Sequence, residues 1–382
     1  MNKVTNNIRI LCLCIILNSF LATTVFSAPI PKAPNPKVSS YVLMDYNSGM
    51  IIASKNADKI LPPASITKIM TAYIAFTELT NNTLGFNDEV LISKKAWKTG
   101  GSKMFVEVNK KVKVSELLQG IITSSGNDAS VALAEYISGD EETFAIYMNQ
   151  IAANLGMEET NYTNSTGLPN DNLYTSARDI STLSRHLIKN FPKYYPMYTK
   201  KEYVFNEIKQ YSRNKLLFID DSVDGIKTGF TKKAGYCLVS SALRGKRRLI
   251  AVVMGAKSPN DRISATKTLL EYGFRFYETH KIFDAKTLLH EARIFNGEKQ
   301  TLQLGLSEDF HIAIPRRQLK NITKTFIVDQ SLTAPVNKNE TVGYLAIKLD
   351  GEIITTAKLV ALEDINEGGF LRKSIDSVLQ NF

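Results

Sequence analysis

A serine becomes a useful nucleophile only when a neighbouring group takes its proton, so the pairs that matter are serines held at a fixed distance from a base. Ser65 and Lys68 form such a pair. Three residues apart on a helix they share one face, which brings the Lys68 amine within reach of the Ser65 hydroxyl. A helix beginning at Ser65 would also aim its backbone N–H, with the positive end of the helix dipole behind it, at a developing oxyanion. Ser-x-x-Lys recurs at Ser212/Lys215 and Ser264/Lys267, so spacing alone selects nothing. Context does: only Ser65 follows a Pro62-Pro63 entrance and opens a strongly amphipathic repeat.

Two other clusters carry polar chemistry. Ser125-Gly126-Asn127 reads as a turn between two helices, from which a hydroxyl and a carboxamide can project into a cleft. Lys227-Thr228-Gly229 falls inside a predicted strand and is followed by Phe230, whereas the earlier copy, Lys98-Thr99-Gly100, sits in a glycine-rich loop and reads as an exposed turn. His186, His280, His290 and His311 are scattered, with no His-Glu-x-x-His and no cluster at ligand spacing, so neither a metal, a cofactor nor a histidine triad is expected. Cys237 lies in an apolar run and reads as a buried small hydrophobe.

The elements that must position these groups follow from periodicity. Residues 41–46 and 50–54 are apolar runs joined by Asn47-Ser48-Gly49, a hairpin signal. Helical spacing covers 65–78, 115–122, 128–137, 143–155 and 177–188; strands return at 224–228, 236–243 and 249–255, and a closing helix spans 263–276. Strands at both ends with helices between them imply an α/β (α+β) domain, an antiparallel sheet flanked by helices. From 282 to 362 short alternating runs (301–304, 310–314, 342–349, 353–362) indicate a small all-β domain. Beyond Gly368-Gly369, Leu371, Ile375, Val378, Leu379 and Phe382 line one face of a terminal amphipathic helix, and Arg372, Lys373, Asp376 and Gln380 the other. Such a helix fits a membrane interface, or docks on its own domain.

Composition bounds the setting. The chain has 382 residues, 44% hydrophobic and 22% charged, which suits two globular domains and excludes a disordered or polytopic membrane protein. Lys3 and Arg9 precede an apolar run over 10–26, then Ser27, Ala28 and a Pro-rich stretch at 29–36: a secretory signal, with an uncleaved anchor as the alternative. The expected organisation is 1–28 signal peptide, 29–37 linker, 38–280 catalytic domain, 281–365 β-domain and 366–382 membrane-associating helix. The body is therefore expected outside the cytoplasm. The net charge of +10 is spread without a dense basic block, which suits an anionic envelope surface better than nucleic acid.

Ser-Ile-Thr-Lys at 65–68, Ser-Gly-Asn at 125–127 and Lys-Thr-Gly at 227–229 occur in the order found in class A β-lactamases and penicillin-binding proteins. The chain resembles that superfamily from about residue 37 onward. Val-Asp-Gly-Ile-Lys-Thr-Gly-Phe-Thr from residue 223, with Ala-Gly-Tyr from 234, is similar to its D-alanyl-D-alanine carboxypeptidase branch. The resemblance implies that Ser65 attacks the carbonyl between two terminal D-alanines of a peptidoglycan stem peptide, with neutral Lys68 as base, its pKa lowered by burial and by Lys227. It implies a proton relay through Ser125, and Asn127 holding Lys68 or the acyl side chain. Lys227 and Thr228 of the Lys-Thr-Gly strand would grip the free carboxylate, and the backbone N–H groups of Ser65 and Phe230, the residue after Gly229, would bind the oxyanion. Arg262 is a further candidate for the carboxylate. β-Lactam antibiotics would be covalent inhibitors. A β-lactamase, an endopeptidase cutting crosslinks, and a noncatalytic muropeptide- or β-lactam-binding envelope protein are the alternatives. Glu158 and Glu159 lie where a deacylating glutamate would sit, but Glu159-Thr160-Asn161-Tyr162 lacks the Glu-x-x-Leu-Asn pattern.

Overall fold

Residues 249–254 are apolar at every position, and a strand alternates its side chains between two faces, so the sheet containing it must be covered on both sides. The computed structural model, which describes residues 31–379, has this arrangement. The expected signal at 1–28 lies outside the described residues, as do residues 29 and 30 of the linker and 380–382 of the terminal helix, Gln380 and Phe382 among them. Five antiparallel strands run in the order Ile51–Lys55, Ser40–Asp45, Arg247–Ala256, Gly235–Arg244, Val223–Thr231. Ile250, Val252 and Met254 lie on one side in a core shared with the helices Lys68–Thr80, Asn127–Ser138, Glu141–Asn154 and Ala177–Asn190, the last of which packs directly on the strand. Leu249, Ala251 and Val253 pack on the other against the single helix Pro259–Phe276.

Local chemistry sets the helix ends. The Ser176, Ser258 and Asp140 side chains accept from backbone N–H groups of the first turns that follow them, and Pro259 stands at the first helical position after Ser258. Such caps contribute about 1 kcal/mol each. The helix Lys68–Thr80 differs from its expected character. Ten of its 13 residues are buried, including every one from Lys68 to Phe76, because it runs through the middle of the helical layer with no face left for water. The expected helix at 115–122 is an α-helix only over Val114–Gln119; Gly120–Ser124 widens into a π-turn that ends on Ser125.

A second lobe holds a two-stranded pair, Tyr277–Phe283 with Phe310–Pro315, and a five-stranded antiparallel sheet ordered His290–Arg293, Thr301–Gly305, Glu352–Ala361, Thr341–Leu349, Ile322–Val328. Met50, from the first hairpin, packs into the core of this lobe, and its sulfur accepts from the Ala313 N–H at 3.3 Å. Lys189 pairs with Glu308 across the same junction at 2.7 Å.

The terminal helix, Phe370–Leu379, docks polar side inward. Asp376 is fully buried; it accepts from the Asn296 N–H at 2.7 Å, and its carboxylate meets Arg293 at 3.0 Å and Arg372 at 3.1 Å. Phe370, Leu371 and Ile375 are exposed. The face carrying Arg372 and Asp376 is thus the docked one: Arg293 and the Asn296 amide of the lobe, with Arg372 of the helix itself, replace water around that carboxylate. Among the described residues no helix is long and apolar enough to cross a membrane.

Candidate active site

Ser65 does not lie in the α-helix itself. It sits in a one-turn 3-10 segment, Ala64–Thr67, that feeds the helix at Lys68. Ala64 has φ +50°, a left-handed conformation that non-glycine residues rarely adopt, and two glycines hold it there. A Cβ on Gly167 would overlap the Ala64 carbonyl, and one on Gly229 would come within 3.0 Å of the Pro63 oxygen and 3.1 Å of the Ser65 nitrogen. Only hydrogen fits on either side of the turn, so the strand Val223–Thr231 lies flat against the Ser65 amide. That puts the Gly229–Phe230 peptide beside the Ser65 N–H.

Lys68 is 1% exposed. Its Nζ lies 2.6 Å from Asn127 Oδ1, 2.6 Å from the Thr166 carbonyl oxygen and 3.2 Å from Ser65 Oγ. A neutral amine has two N–H bonds and one lone pair. The two oxygens that can only accept take the N–H bonds, which leaves the lone pair facing the serine hydroxyl. The Lys68 pKa is lowered from 10.5 to about 7, by burial first and then by the Arg213 cation, against the opposing fields of Asp128 and Glu141. Lys68 and Lys227 repel each other as expected, and Arg213 adds a cation that the sequence reading did not include.

The other two clusters reach the same place. Ser125 ends the π-turn at φ +59° and is buried, and Asn127 opens the next helix. Lys227 is buried on the edge strand, with Nζ 2.9 Å from Ser125 Oγ and 3.1 Å from the Thr228 carbonyl. Its pKa is held well below the ordinary value by burial and then by the Lys68, Arg213 and Arg262 cations. An arriving carboxylate would reverse that depression.

Ser65, Ser125, Thr228, Gly229, Phe230 and Arg262 share the walls of one open cleft of about 500 Å³. Arg262 comes from the first turn of Pro259–Phe276; its Nη1 leans toward the Gly229 and Cys237 carbonyls at 3.5 and 3.4 Å, and its Nε has no partner. Its guanidinium lies over the Tyr236 ring, on which Phe230 stacks with centroids 4.2 Å apart. Neither Glu158, Glu159 nor any histidine lines the cleft. Cys237 is fully buried, and burial pushes its thiol up to about 11.

Several cleft residues escaped the sequence reading. Arg213 lines the cleft from the segment after the hairpin Glu202–Phe205/Ile208–Tyr211, where Asn214 Nδ2 donates to the Gly225 carbonyl at 2.9 Å. A Ser-Arg-Asn tripeptide just ahead of the Lys-Thr-Gly strand was the available signal. Gly101 and Ser102 form the opposite lip. They follow the second Lys-Thr-Gly copy, which is exposed as expected at Lys98 and Gly100, yet its Gly100 carbonyl accepts from Asn127 Nδ2 at 2.7 Å.

The family model for D-alanyl-D-alanine carboxypeptidases matches residues 27–258, and the model for the C-terminal domain of penicillin-binding protein 5 matches 277–367. The D-alanyl-D-alanine carboxypeptidase DacC of Escherichia coli is 39% identical over 94% of this chain and 92% of its own. DacA of Haemophilus influenzae is 39% identical over 94% and 95%. Among solved structures, penicillin-binding protein 5 from H. influenzae superposes with a TM-score of 0.83 at 39% identity, covering 88% of this chain and all of that one. Penicillin-binding protein D2 from Listeria monocytogenes, solved in its ampicillin-bound form, covers 63% of this chain and all of its own at 29% identity and a TM-score of 0.59.

Proposed function

The chain belongs to the D-alanyl-D-alanine carboxypeptidase family of serine peptidases, and on that premise we propose that it removes the terminal D-alanine from peptidoglycan stem pentapeptides through an acyl-enzyme on Ser65. The observation that carries the reading is the buried Lys68 Nζ lying 3.2 Å from Ser65 Oγ. Lys68 takes the hydroxyl proton as Ser65 Oγ attacks the penultimate carbonyl carbon. The oxyanion is met by the Ser65 and Phe230 N–H groups. Ser125, bonded to Lys227, relays a proton to the departing D-alanine nitrogen, and the C–N bond breaks. Water then attacks the ester, with Lys68 again taking the proton, and Ser65 is regenerated.

Substrate selection rests on cations. Thr228, Arg262 and Arg213 line the cleft, and the buried Lys227 lies behind Ser125 and Thr228, so the free carboxylate of a chain terminus is favoured over an internal bond. Asn127 orients Lys68 and borders the acyl side. Penicillins acylate the same serine. Among the described residues that line the cleft there is no carboxylate to activate a deacylating water, which favours a carboxypeptidase over a β-lactamase.

The cationic start and apolar run at 10–26 support export, to the periplasm or the outer face of the membrane. We read 1–28 as signal, 29–37 as linker, 38–280 as the catalytic domain and 281–365 as the β-domain. In 366–382 the outward Phe370, Leu371 and Ile375 support peripheral attachment to the membrane. The deciding experiment is mass spectrometry after incubation with penicillin and with a diacyl-D-Ala-D-Ala peptide. An adduct on Ser65, lost in Ser65→Ala, together with released D-alanine, is expected; fast penicillin turnover without a stable adduct would remove the assignment.

A further inference from the structure

Asp128 is 1% exposed, and its carboxylate spends its acceptors on backbone alone. Oδ1 accepts from the Met104 N–H at 2.8 Å and from the Ala129 N–H at 2.9 Å; Oδ2 accepts from the N–H groups of Phe105 at 2.8 Å and Val106 at 3.2 Å. Three successive amides converge on one anion because Phe105 is turned to φ +72°. Consecutive N–H groups arranged in this way form an anion-binding concavity, and here the anion is the protein's own.

This nest is joined to the reacting atoms through its neighbours. Gly101 and Ser102, just before it, form one lip of the cleft. Asn127, just before Asp128, donates its backbone N–H to the Ser102 carbonyl and its side-chain amide to the Gly100 carbonyl, both at 2.7 Å. The same side chain accepts from Lys68 at 2.6 Å. We propose that Asp128 is a positioning residue of the hydrolytic site: by gathering the N–H groups of residues 104–106 it fixes the 100–106 arm against Asn127, and so fixes the Lys68 amine on Ser65. The proposal rests on the assignment of Ser65 and Lys68 as nucleophile and base.

Asp128 also acts on Lys68 by its charge. The groups facing that amine are the cations Arg213 and Lys227 and the anions Asp128 and Glu141, and the two anions favour its protonated form. The arm and the charge can be separated. Asp128→Asn removes the charge and, by putting an NH2 group in place of Oδ2, the acceptor of the Phe105 and Val106 N–H groups; Phe105→Val leaves the carboxylate but puts a β-branched residue where φ is +72°, and Phe105→Gly accepts that conformation without strain.

The test measures D-alanine release and penicillin acylation from pH 5 to 9 for the full chain and each variant. Wild-type activity and a Ser65 adduct establish the underlying reading, and their absence would count against that reading instead. Asp128→Asn is expected to lose at least tenfold in kcat at pH 8.5, with a smaller change in KM, and to shift its acid limb to lower pH. A purely structural role would lower the amplitude and leave the limb in place. Phe105→Val is expected to lose kcat with an unmoved limb, and Phe105→Gly to retain more activity than Phe105→Val. The inference is overturned if folded Asp128→Asn stays within twofold of wild type, or loses activity without a limb shift. If that variant does not fold, the Phe105 pair decides: equal, wild-type activity in both overturns it.

Discussion

Replacing Gly167 by alanine tests whether the nucleophile's turn is held by space rather than by sequence nearby. Gly167 has φ +81°, and the added methyl would overlap the Ala64 carbonyl while standing 3.0 Å from the Ser65 nitrogen. The added carbon would lie 1.9 Å from the Ala64 oxygen, and an ordinary carbon–oxygen approach is about 3.3 Å or more, so the turn must retreat by roughly 1.4 Å. A misplacement of about 1 Å at reacting groups can cost about 10²-fold in rate, equivalent to about 2.7 kcal/mol of transition-state stabilisation. Alanine in the left-handed region adds about 1–2 kcal/mol of folding cost, a fall in Tm of roughly 2–8 °C for a lobe of this size. The assay is kcat/KM for D-alanine release at 25 °C, with thermal unfolding of the same preparation. A loss of about 10²-fold in a protein still folded at the assay temperature is expected. Activity within threefold of wild type would refute the argument that Ser65 is placed by this close contact.

Other outcomes follow from the same geometry. Lys68 acts as base only when neutral, and its pKa is lowered to about 7, so penicillin acylation should rise about tenfold per pH unit below 7 and level above it; stopped-flow acylation from pH 5 to 9 checks this, and a profile flat through 7 contradicts it. Lys227→Met should raise KM for a carboxylate-ended peptide by about 10–100-fold and hardly change the poor reaction of the C-terminal amide, since only the former is gripped there; the ratio of the two kcat/KM values reads it out. Asp376→Asn should undock the terminal helix, at a cost of about 1–3 kcal/mol after allowing for the half-exposed Arg293, and leave hydrolysis of a soluble peptide unchanged; faster amide exchange in 293–297 and 370–376 is the observable.

The three motifs and the order of helices and strands were legible because each is written in local spacing: period 3.6 over 177–188, largely apolar runs at 236–243 and 249–255, and a hairpin signal at 47–49. What was not legible depends on contacts distant in sequence. Ser65 was assigned to the start of an α-helix because nothing nearby announces Gly167 or Gly229, whose missing side chains allow the 3-10 turn. The Lys68–Thr80 helix was read as amphipathic, since its threonines and tyrosine mimic a polar face that tertiary packing then covers. Arg213 looked like any surface arginine, and only the fold adds its charge to that of Lys227 around Lys68. Asp376 carried the ordinary signature of a solvated face, and only the Asn296 amide and the Arg293 side chain reverse it. The strands Tyr277–Phe283, His290–Arg293 and Ile322–Val328 were missed because lysines, threonines and histidines dilute their alternation.

The most direct measurement is the titration of Lys68 itself, followed by the NMR signal of ¹³Cε-labelled lysine and assigned by its loss in Lys68→Met. A midpoint near pH 7 in the free enzyme, moving when Ser65 is acylated, is the expected result. A midpoint above pH 9.5 would mean an ammonium ion beside Ser65, with no lone pair to receive its proton.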